Sequence, residues 1–151
     1  MKYFEDIAVG DRFSFGQYPF DEAEMLAFAG KYDPQRFHID AGAAAETIYG
    51  GLIASGILTM AIMLKLIVEE FRDWDMHGSP GWDEVRWTRP VRAGDVLSAE
   101  CEITATRAAK SRPELGIVHA RCRLRNQEGE TVFTARPIWF MGRRGVDTNR
   151  S

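Results

Sequence analysis

The stretch Gly50–Phe71, GGLIASGILTMAIMLKLIVEEF, decides the fold of this chain. Within residues 52–68 only Ser55, Thr59 and Lys65 carry polar side chains. At the helical period, apolar side chains fall on every face, which predicts a buried helix. This helix is expected to begin at about Ala54 or Ser55. A membrane span needs about 20 apolar residues, and the charges near the end of this run cut it short. A helix of about 18 residues is near 27 Å long, enough to cross a small domain.

Strands are predicted on both sides of this helix. Four segments after it have the alternation of strands, namely Val85–Arg89, Val96–Arg107, Gly116–Arg125 and Thr131–Met141. A shorter strand, Arg12–Gln17, precedes it. One long buried helix followed by antiparallel strands predicts an α+β protein whose sheet wraps around a single central helix, the hot-dog arrangement.

The two long middle strands also carry register information. Small apolar residues alternate with charged ones, so opposite charges on the outer face and small groups on the inner face favour one register. Its opposed pairs are Glu102 with Arg121, Glu100 with Arg123, and Cys101 with Cys122. Because the two cysteines lack a metal-type spacing and face inward, we expect free thiols in the core.

Short helices are predicted ahead of the central one. Asp21 has the position of an N-cap for a helix that ends near Gly30, and Asp40 has the same position before a short helix, Ala41–Thr47. After the central helix, Asp73–Pro80 has the composition of a loop.

Length and charge limit the class of protein. The chain has 151 residues, which predicts one domain over residues 1–142 and a polar tail over residues 143–151. A net charge of −3 argues against nucleic acid as the main partner. The N-terminus lacks the apolar core of a secretory signal and no membrane span is predicted, so we expect a cytoplasmic location.

Asp33 and His38 are the first candidate catalytic residues. Both lie in a polar loop close to the start of the buried helix. A carboxylate and an imidazole in one small loop can hold and deprotonate a water molecule. Spacing alone leaves an ordinary alternative open, in which Asp33 forms a turn with Pro34 and His38 caps a helix end.

The glycine-rich segment Gly50–Gly56 is the second candidate. Free N–H groups at a helix start are natural partners for a developing oxyanion. A glycine-rich entry into a tightly packed helix accounts for the same residues. The aromatic residues Trp82 and Trp87 are expected in the core or in an interface, and they need no ligand to explain them.

These motifs together resemble the MaoC-like acyl dehydratases, which are similar to the (R)-specific enoyl-CoA hydratases. The resemblance covers about residues 5–142. The segments that carry it are Tyr32–Asp40, Gly50–Gly56, Asp83–Trp87, Arg89–Asp95, Ser111–Pro113 and Asn126–Glu130.

The resemblance implies a hot-dog fold, paired into a homodimer, that acts on acyl thioesters of coenzyme A. By position, Asp33 matches the family aspartate, His38 the family histidine, and Gly56 the glycine whose N–H holds the thioester oxygen. Three residues depart from the family pattern: Gln35 replaces the usual Asn, Arg36 stands where a proline is commoner, and Ser55 replaces the His of a His-Gly pair. These departures bear on substrate choice more than on the reaction.

The function so implied is an acyl-CoA dehydratase or enoyl-CoA hydratase, which adds water reversibly to a trans-2-enoyl thioester. Asp33 would accept a proton from water, His38 would orient that water, and the Gly56 N–H would stabilise the enolate. No metal or redox cofactor is expected. The residues expected to contact the substrate are Ser55, Thr59, Met60 and Met63 along the acyl chain, and Lys110 and Arg112 at the phosphates. A second basic group, Arg86, Arg89 and Arg92, is the alternative for the phosphates, and solvated surface charge accounts for either group without a ligand.

Two alternatives remain. A hot-dog thioesterase would hydrolyse the thioester, but such enzymes generally carry their carboxylate on the central helix, where none precedes Glu69. A non-catalytic member of the fold would bind acyl-CoA without reaction.

Overall fold

A computed structural model describes residues 1–146 of the chain. Its helices are α1 (Glu22–Tyr32), α2 (Arg36–Ile39), α3 (Ala41–Ala45) and α4 (Gly56–Glu70). Its strands are β1 (Arg12–Pro19), β2 (Met76–Trp87), β3 (Val96–Ala108), β4 (Leu115–Arg125) and β5 (Thr131–Gly142). All strand pairs are antiparallel, in the order β1-β3-β4-β5-β2. The sheet packs against α4, so the predicted α+β hot-dog fold is confirmed.

Helix α4 supplies one side of the core. Ser55 caps it, because the Ser55 hydroxyl accepts a hydrogen bond from the Ile57 N–H at 3.3 Å. The side of α4 that faces the sheet is buried, through Leu58, Ile62, Met63, Leu66 and Ile67. Burial of several such side chains, each contributing about 1.5–3 kcal/mol, holds the helix against the sheet.

The opposite side of α4 is exposed in the single chain. Ile57, Leu64 and Val68 are 54%, 49% and 59% accessible to solvent. The prediction of a helix buried on every face is therefore wrong for one chain, because the sheet covers only one side. These three residues form an apolar stripe, named the α4 stripe below.

The predicted register of β3 and β4 is confirmed. The directly opposed pairs are Glu102 with Arg121, Glu100 with Arg123, and Cys101 with Cys122. Arg121 donates a hydrogen bond to Glu102 at 2.8 Å on the outer face. Both cysteines are buried on the inner face.

The prediction of free thiols is wrong. The structure joins Cys101 and Cys122 in a disulfide, and their Cα atoms lie 4.2 Å apart. The register itself explains this, because directly opposed residues on one face of an antiparallel pair bring their side chains together.

The largest difference from the predicted elements lies after α4. Strand β2 begins at Met76, inside the predicted loop, and contains the predicted strand start at Val85. Gly78 adopts a φ of 115°, and the pairing of β2 with β5 shifts register three times. These bulges break the alternation that identifies a strand in the sequence, and they occur on an edge of the sheet. The short helix α2 was also not predicted.

The end of the chain is described only in part. After β5, Arg143 and Arg144 form ion pairs with Glu5 at 3.2 Å and with Asp6 at 2.6 Å. Residues 147–151 of the predicted polar tail lie outside the described residues. Among residues 1–146, no helix has the length and apolar character that a membrane crossing needs.

Candidate active site

Asp33 and His38 meet at the N-terminal end of α4. Asp33 is the residue that ends α1, and His38 lies in α2. The His38 Nε2 atom is 3.2 Å from the Asp33 Oδ2 atom. The imidazole is 5% exposed and the carboxylate 20% exposed, so the pair sits at the floor of a cavity and still reaches solvent. The predicted pairing of these side chains is therefore present.

The chain just before α4 fixes the orientation of His38. The Ile53 N–H donates to the Phe37 carbonyl at 3.1 Å, and the His38 Nδ1 atom lies 2.8 Å from the Ile53 carbonyl oxygen. Because a carbonyl oxygen only accepts hydrogen bonds, Nδ1 carries a proton. Nε2 is thus the nitrogen that faces Asp33 and the cavity, which makes it the atom available for proton transfer.

Two further side chains hold the Asp33 carboxylate. The Ser55 hydroxyl donates to Oδ2 at 2.7 Å, and the Gln35 amide donates to Oδ1 at 2.7 Å. Partial burial acts to raise the pKa of Asp33, but the hydrogen bonds from Gln35 and Ser55, and the positive charge of His38 when its ring is protonated, outweigh it and lower this pKa. Asp33 is consequently ionised at neutral pH.

Gly56 presents a free N–H beside this pair. It is the first residue of α4, so its N–H has no partner within the helix, and none of residues 1–146 accepts from it. The Gly56 carbonyl accepts a hydrogen bond from the Trp87 indole at 2.7 Å. A Cβ atom at position 56 would lie 2.6 Å from the Trp87 Nε1 atom, so this close contact requires glycine.

A cavity of about 610 Å³ connects these groups. Asp33, His38, Gly56, Thr59 and Trp87 all line it. The arrangement combines an ionised carboxylate, an imidazole nitrogen and a free N–H at the positive end of a helix dipole. Such a site can bind a water molecule, accept a proton from it, and stabilise an oxyanion on a molecule bound next to that water.

The other predicted substrate residues lie at different depths. Thr59 lines the cavity and is 1% exposed. Met60 is half-buried against the core and Met63 is fully buried in it, and neither lines the cavity. Ser55, predicted as a substrate contact, is fully buried and binds Asp33.

Lys110 and Arg112 lie away from this cavity. They line a separate concavity of about 1140 Å³ at the turn between β3 and β4. Of the arginines near the Asp33–His38 cavity, Arg89 forms an ion pair with Glu130 at 2.8 Å. Arg92 donates to the Tyr49 carbonyl at 2.5 Å. The structure does not bring the predicted phosphate residues to the catalytic pair within one chain.

Comparison with known proteins identifies the family. The family model described as the MaoC like domain matches residues 6–120. The chain belongs to this family. The protein YdeM of Bacillus subtilis, which is uncharacterized, is 31% identical over 130 residues, covering 85% of this chain and 91% of YdeM.

Solved structures agree with the MaoC-like assignment. A MaoC-like dehydratase from Rhodospirillum rubrum is 36% identical, covers 97% of this chain and 100% of its own, and superposes with a TM-score of 0.85. An (R)-hydratase from A. caviae involved in PHA biosynthesis is 25% identical, with 89% and 97% coverage and a TM-score of 0.70. The family contains hydratases and dehydratases, and it has the hot-dog fold.

Sequence reasoning missed contacts that Trp87, Ser55 and Gln35 make in this MaoC-like site. Trp87 was assigned to the core or an interface, whereas it lines the cavity and binds Gly56. Ser55 was assigned to substrate, and its N-cap position was the available signal that it would lie beside the helix start. No spacing signal links Trp87 to Gly56, because 31 residues and a bulged strand separate them.

Proposed function

We propose that this protein catalyses the reversible addition of water to a trans-2-enoyl thioester of coenzyme A. The observation that carries the proposal is the 3.2 Å approach of the His38 Nε2 atom to the Asp33 carboxylate. The pair faces a cavity that also contains the N-terminus of α4. These are the three groups that hydration of an enoyl thioester needs: a base, a group that orients water, and an oxyanion donor.

The chemical step follows from this geometry. Asp33 accepts a proton from a water molecule that His38 Nε2 orients, and the water oxygen forms a bond to Cβ of the substrate. The π electrons of the Cα–Cβ bond move toward the thioester, whose oxygen becomes an enolate oxygen bound by the Gly56 N–H. His38 then assists transfer of the proton to Cα. The net change is addition of one water molecule, and it calls for no metal or redox cofactor.

The acyl chain is placed along α4 in this proposal. Thr59 lines the cavity directly, so it contacts the carbons next to the reacting bond. Met60 and Met63 follow on the same helix, Met60 half-buried and Met63 fully buried. A longer acyl chain meets these methionines, whose flexible side chains adapt to different chain lengths.

A homodimer is part of the proposal, for two reasons. Strand β2 lies at an edge of the sheet, and its unpaired backbone groups can pair with a second copy. The α4 stripe leaves three apolar side chains about half exposed. Paired β2 edges and paired stripes would bury both features in one two-fold interface.

Two assays separate this reaction from its alternatives. With crotonyl-CoA, a hydratase removes the enoyl absorbance and releases no thiol, whereas a thioesterase releases free coenzyme A. A binding protein does neither. The acidic residues of α4, Glu69 and Glu70, are at its C-terminal end, away from the cavity, which favours hydration. Thiol release at constant enoyl absorbance would replace the hydratase with a thioesterase.

We also propose a cytoplasmic location. The Cys101–Cys122 disulfide weighs against it, because cytosolic thiols are kept reduced. Alkylating thiols in intact cells before lysis decides between the two. Alkylation of both cysteines would support a cytoplasmic location, and alkylation of neither would support an oxidising compartment.

A further inference from the structure

Aromatic side chains line the Asp33–His38 cavity on more than one side. They are Tyr32, Phe37, Tyr49 and Trp87. Trp87 is 48% exposed and Tyr32 is 64% exposed, although both rings are large and mostly apolar. Large apolar groups that stay accessible around a cavity mark a binding surface. These rings have no part in the proposed proton transfer, so the reaction by itself does not account for them.

The aromatic rings come from two parts of the chain that meet at the cavity. The ring centre of Phe37 lies 4.6 Å from that of His38, edge to face, and 5.2 Å from that of Tyr49. These rings therefore lie on the same side of the cavity as the catalytic imidazole. Trp87 is the last residue of β2 and binds the start of α4 at Gly56. Rings thus flank the cavity both beside the imidazole and beside the proposed oxyanion donor.

The Trp87 ring is held in place by the protein itself. Its indole N–H donates to the Gly56 carbonyl at 2.7 Å, and its ring centre is 5.9 Å from that of Phe133, which is fully buried. An anchored indole loses little freedom when a ligand packs on it, which favours binding. Aromatic rings pack on each other in offset or edge-to-face arrangements, and one such pair strengthens binding about 2- to 13-fold beyond the area it buries.

The cavity offers less room to a long alkyl chain than to a ring. The residues of α4 that line it are Gly56, Ile57 and Thr59. Met63, one turn beyond Thr59, is fully buried in the core. An alkyl chain that follows α4 past Thr59 must therefore displace Met63 from a packed core, which weakens its binding. A planar ring on Cβ adds its bulk near the reacting carbons and lies against the aromatic side chains without that movement.

We infer that the acyl group of the natural substrate carries an aromatic ring on Cβ, as in a 3-aryl-enoyl thioester, and that Trp87 selects this ring. This inference rests on the proposed function. Conjugation of the ring with the double bond stabilises the enoyl form, so dehydration of the 3-aryl-3-hydroxyacyl thioester is the favoured direction. In that direction the proton removed from Cα passes through His38 and Asp33 to the hydroxyl group, which leaves Cβ as water while the double bond forms.

Two variants of Trp87 separate the effect of the ring from that of the indole N–H. Trp87→Phe and Trp87→Leu both lose the hydrogen bond to the Gly56 carbonyl, but only phenylalanine keeps an aromatic face at this position. Each protein is assayed for dehydration of 3-hydroxy-3-phenylpropionyl-CoA and of its cyclohexyl counterpart, which is similar in size and has no π face. The ratio of the two kcat/KM values, phenyl over cyclohexyl, is compared between proteins, so effects shared by both substrates cancel.

Trp87→Phe is expected to keep the ratio of the unchanged protein, and Trp87→Leu is expected to lower it by roughly 3- to 10-fold. Tyr32→Leu gives a second test that leaves the sheet and the hydrogen bond to Gly56 intact, because Tyr32 is exposed at the end of α1. It is expected to lower the ratio by a smaller factor. A ratio that stays unchanged in both leucine variants, or that falls equally in Trp87→Phe and Trp87→Leu, overturns the inference.

Binding of saturated thioesters separates this inference from the proposed reaction. Calorimetry compares 3-phenylpropionyl-CoA with 3-cyclohexylpropionyl-CoA, neither of which has a double bond to hydrate or a hydroxyl group to lose. Tighter binding of the phenyl ligand is expected to persist in Trp87→Phe and to shrink in Trp87→Leu. That result without turnover of any thioester would reject the reaction and keep Trp87 as the residue that selects the ring. Hydration of crotonyl-CoA with no phenyl preference in either measurement would keep the reaction and reject the inference.

Discussion

Replacement of Gly56 by alanine tests the geometry of the proposed oxyanion donor. The new Cβ atom would lie 2.6 Å from the Trp87 Nε1 atom and 2.7 Å from its Cε2 atom. Ordinary contacts of this kind exceed 3.4 Å, so the indole and the helix start must separate by roughly 0.8 Å or more. Trp87 is 48% exposed and can move outward, but only by breaking its hydrogen bond to the Gly56 carbonyl.

Stability and activity are expected to respond differently to Gly56→Ala. Loss of one neutral hydrogen bond costs about 0.5–1.5 kcal/mol, and alanine in place of a helical glycine returns up to about 1 kcal/mol. The free energy of unfolding should therefore change by less than about 1.5 kcal/mol. Displacement of a catalytic donor by about 1 Å lowers kcat by up to about 10²-fold. Urea denaturation and crotonyl-CoA turnover measure the two effects.

Matched variants identify the cause of the loss. Gly30→Ala, in α1, places its Cβ in open space and should keep kcat while stabilising the protein slightly. Gly56→Ala combined with Trp87→Ala removes the clash, so its kcat should return to that of Trp87→Ala alone. Unchanged kcat in Gly56→Ala, or no recovery in the double variant, would refute the reasoning.

Two further predictions follow from the site and from the exposed helix face. Gln35→Leu removes a hydrogen bond that lowers the pKa of Asp33, so Asp33 protonates at a higher pH and the acid limb of the kcat/KM profile moves to higher pH. Gln17→Leu changes another exposed glutamine and should leave the profile in place, and an acid limb that stays in place in Gln35→Leu would remove Asp33 as the titrating group. Leu64→Glu places a charge in the α4 stripe and should convert a dimer into a 17.1 kDa monomer in light scattering, whereas Lys65→Glu at the next position should leave the dimer intact. If Leu64→Glu is still a dimer, the stripe is not part of the interface.

Local rules placed helices α1, α3 and α4 and the middle of the sheet, but not the short helix α2. The apolar run placed α4 within a residue or two of its observed start. Charge pairing placed Glu102 opposite Arg121, because β3 and β4 are neighbours along the chain and their alternation is regular. In such segments, sequence order, hydrophobic pattern and electrostatics all favour one arrangement.

The remaining features depend on distant or missing neighbours. Strand β2 is a strand because it pairs with β5, and that pairing is interrupted by bulges. Its glycines and Pro80 therefore show no strand pattern in the sequence. The contact between Trp87 and Gly56 exists only because the sheet wraps around α4. The exposed α4 stripe is an apolar surface that a second chain would cover, and the sequence of one chain carries no sign of that second chain.

The site shows the same division. Asp33 and His38 were expected together because only four residues separate them in the sequence, and their side chains do meet. The hydrogen bond from Ser55 to the carboxylate was not predicted, since a contact across 22 residues has no local signature. The hydrogen bond from Gln35, two positions from Asp33, was missed although it is local. Lys110 and Arg112 were assigned to the substrate from charge alone, and that assignment stays a prediction that depends on the dimer.

The most direct measurement of the central claim is kcat for crotonyl-CoA hydration in Asp33→Asn, compared with Asp40→Asn. Asparagine caps a helix as well as aspartate does, so Asp40→Asn keeps the start of α3 and controls for loss of a nearby negative charge. Loss of a general base lowers the rate by roughly 10²–10⁴-fold. We expect such a decrease in Asp33→Asn and a kcat within about twofold of the unchanged protein in Asp40→Asn. Equal turnover in the two variants would contradict the assignment of Asp33 as the base.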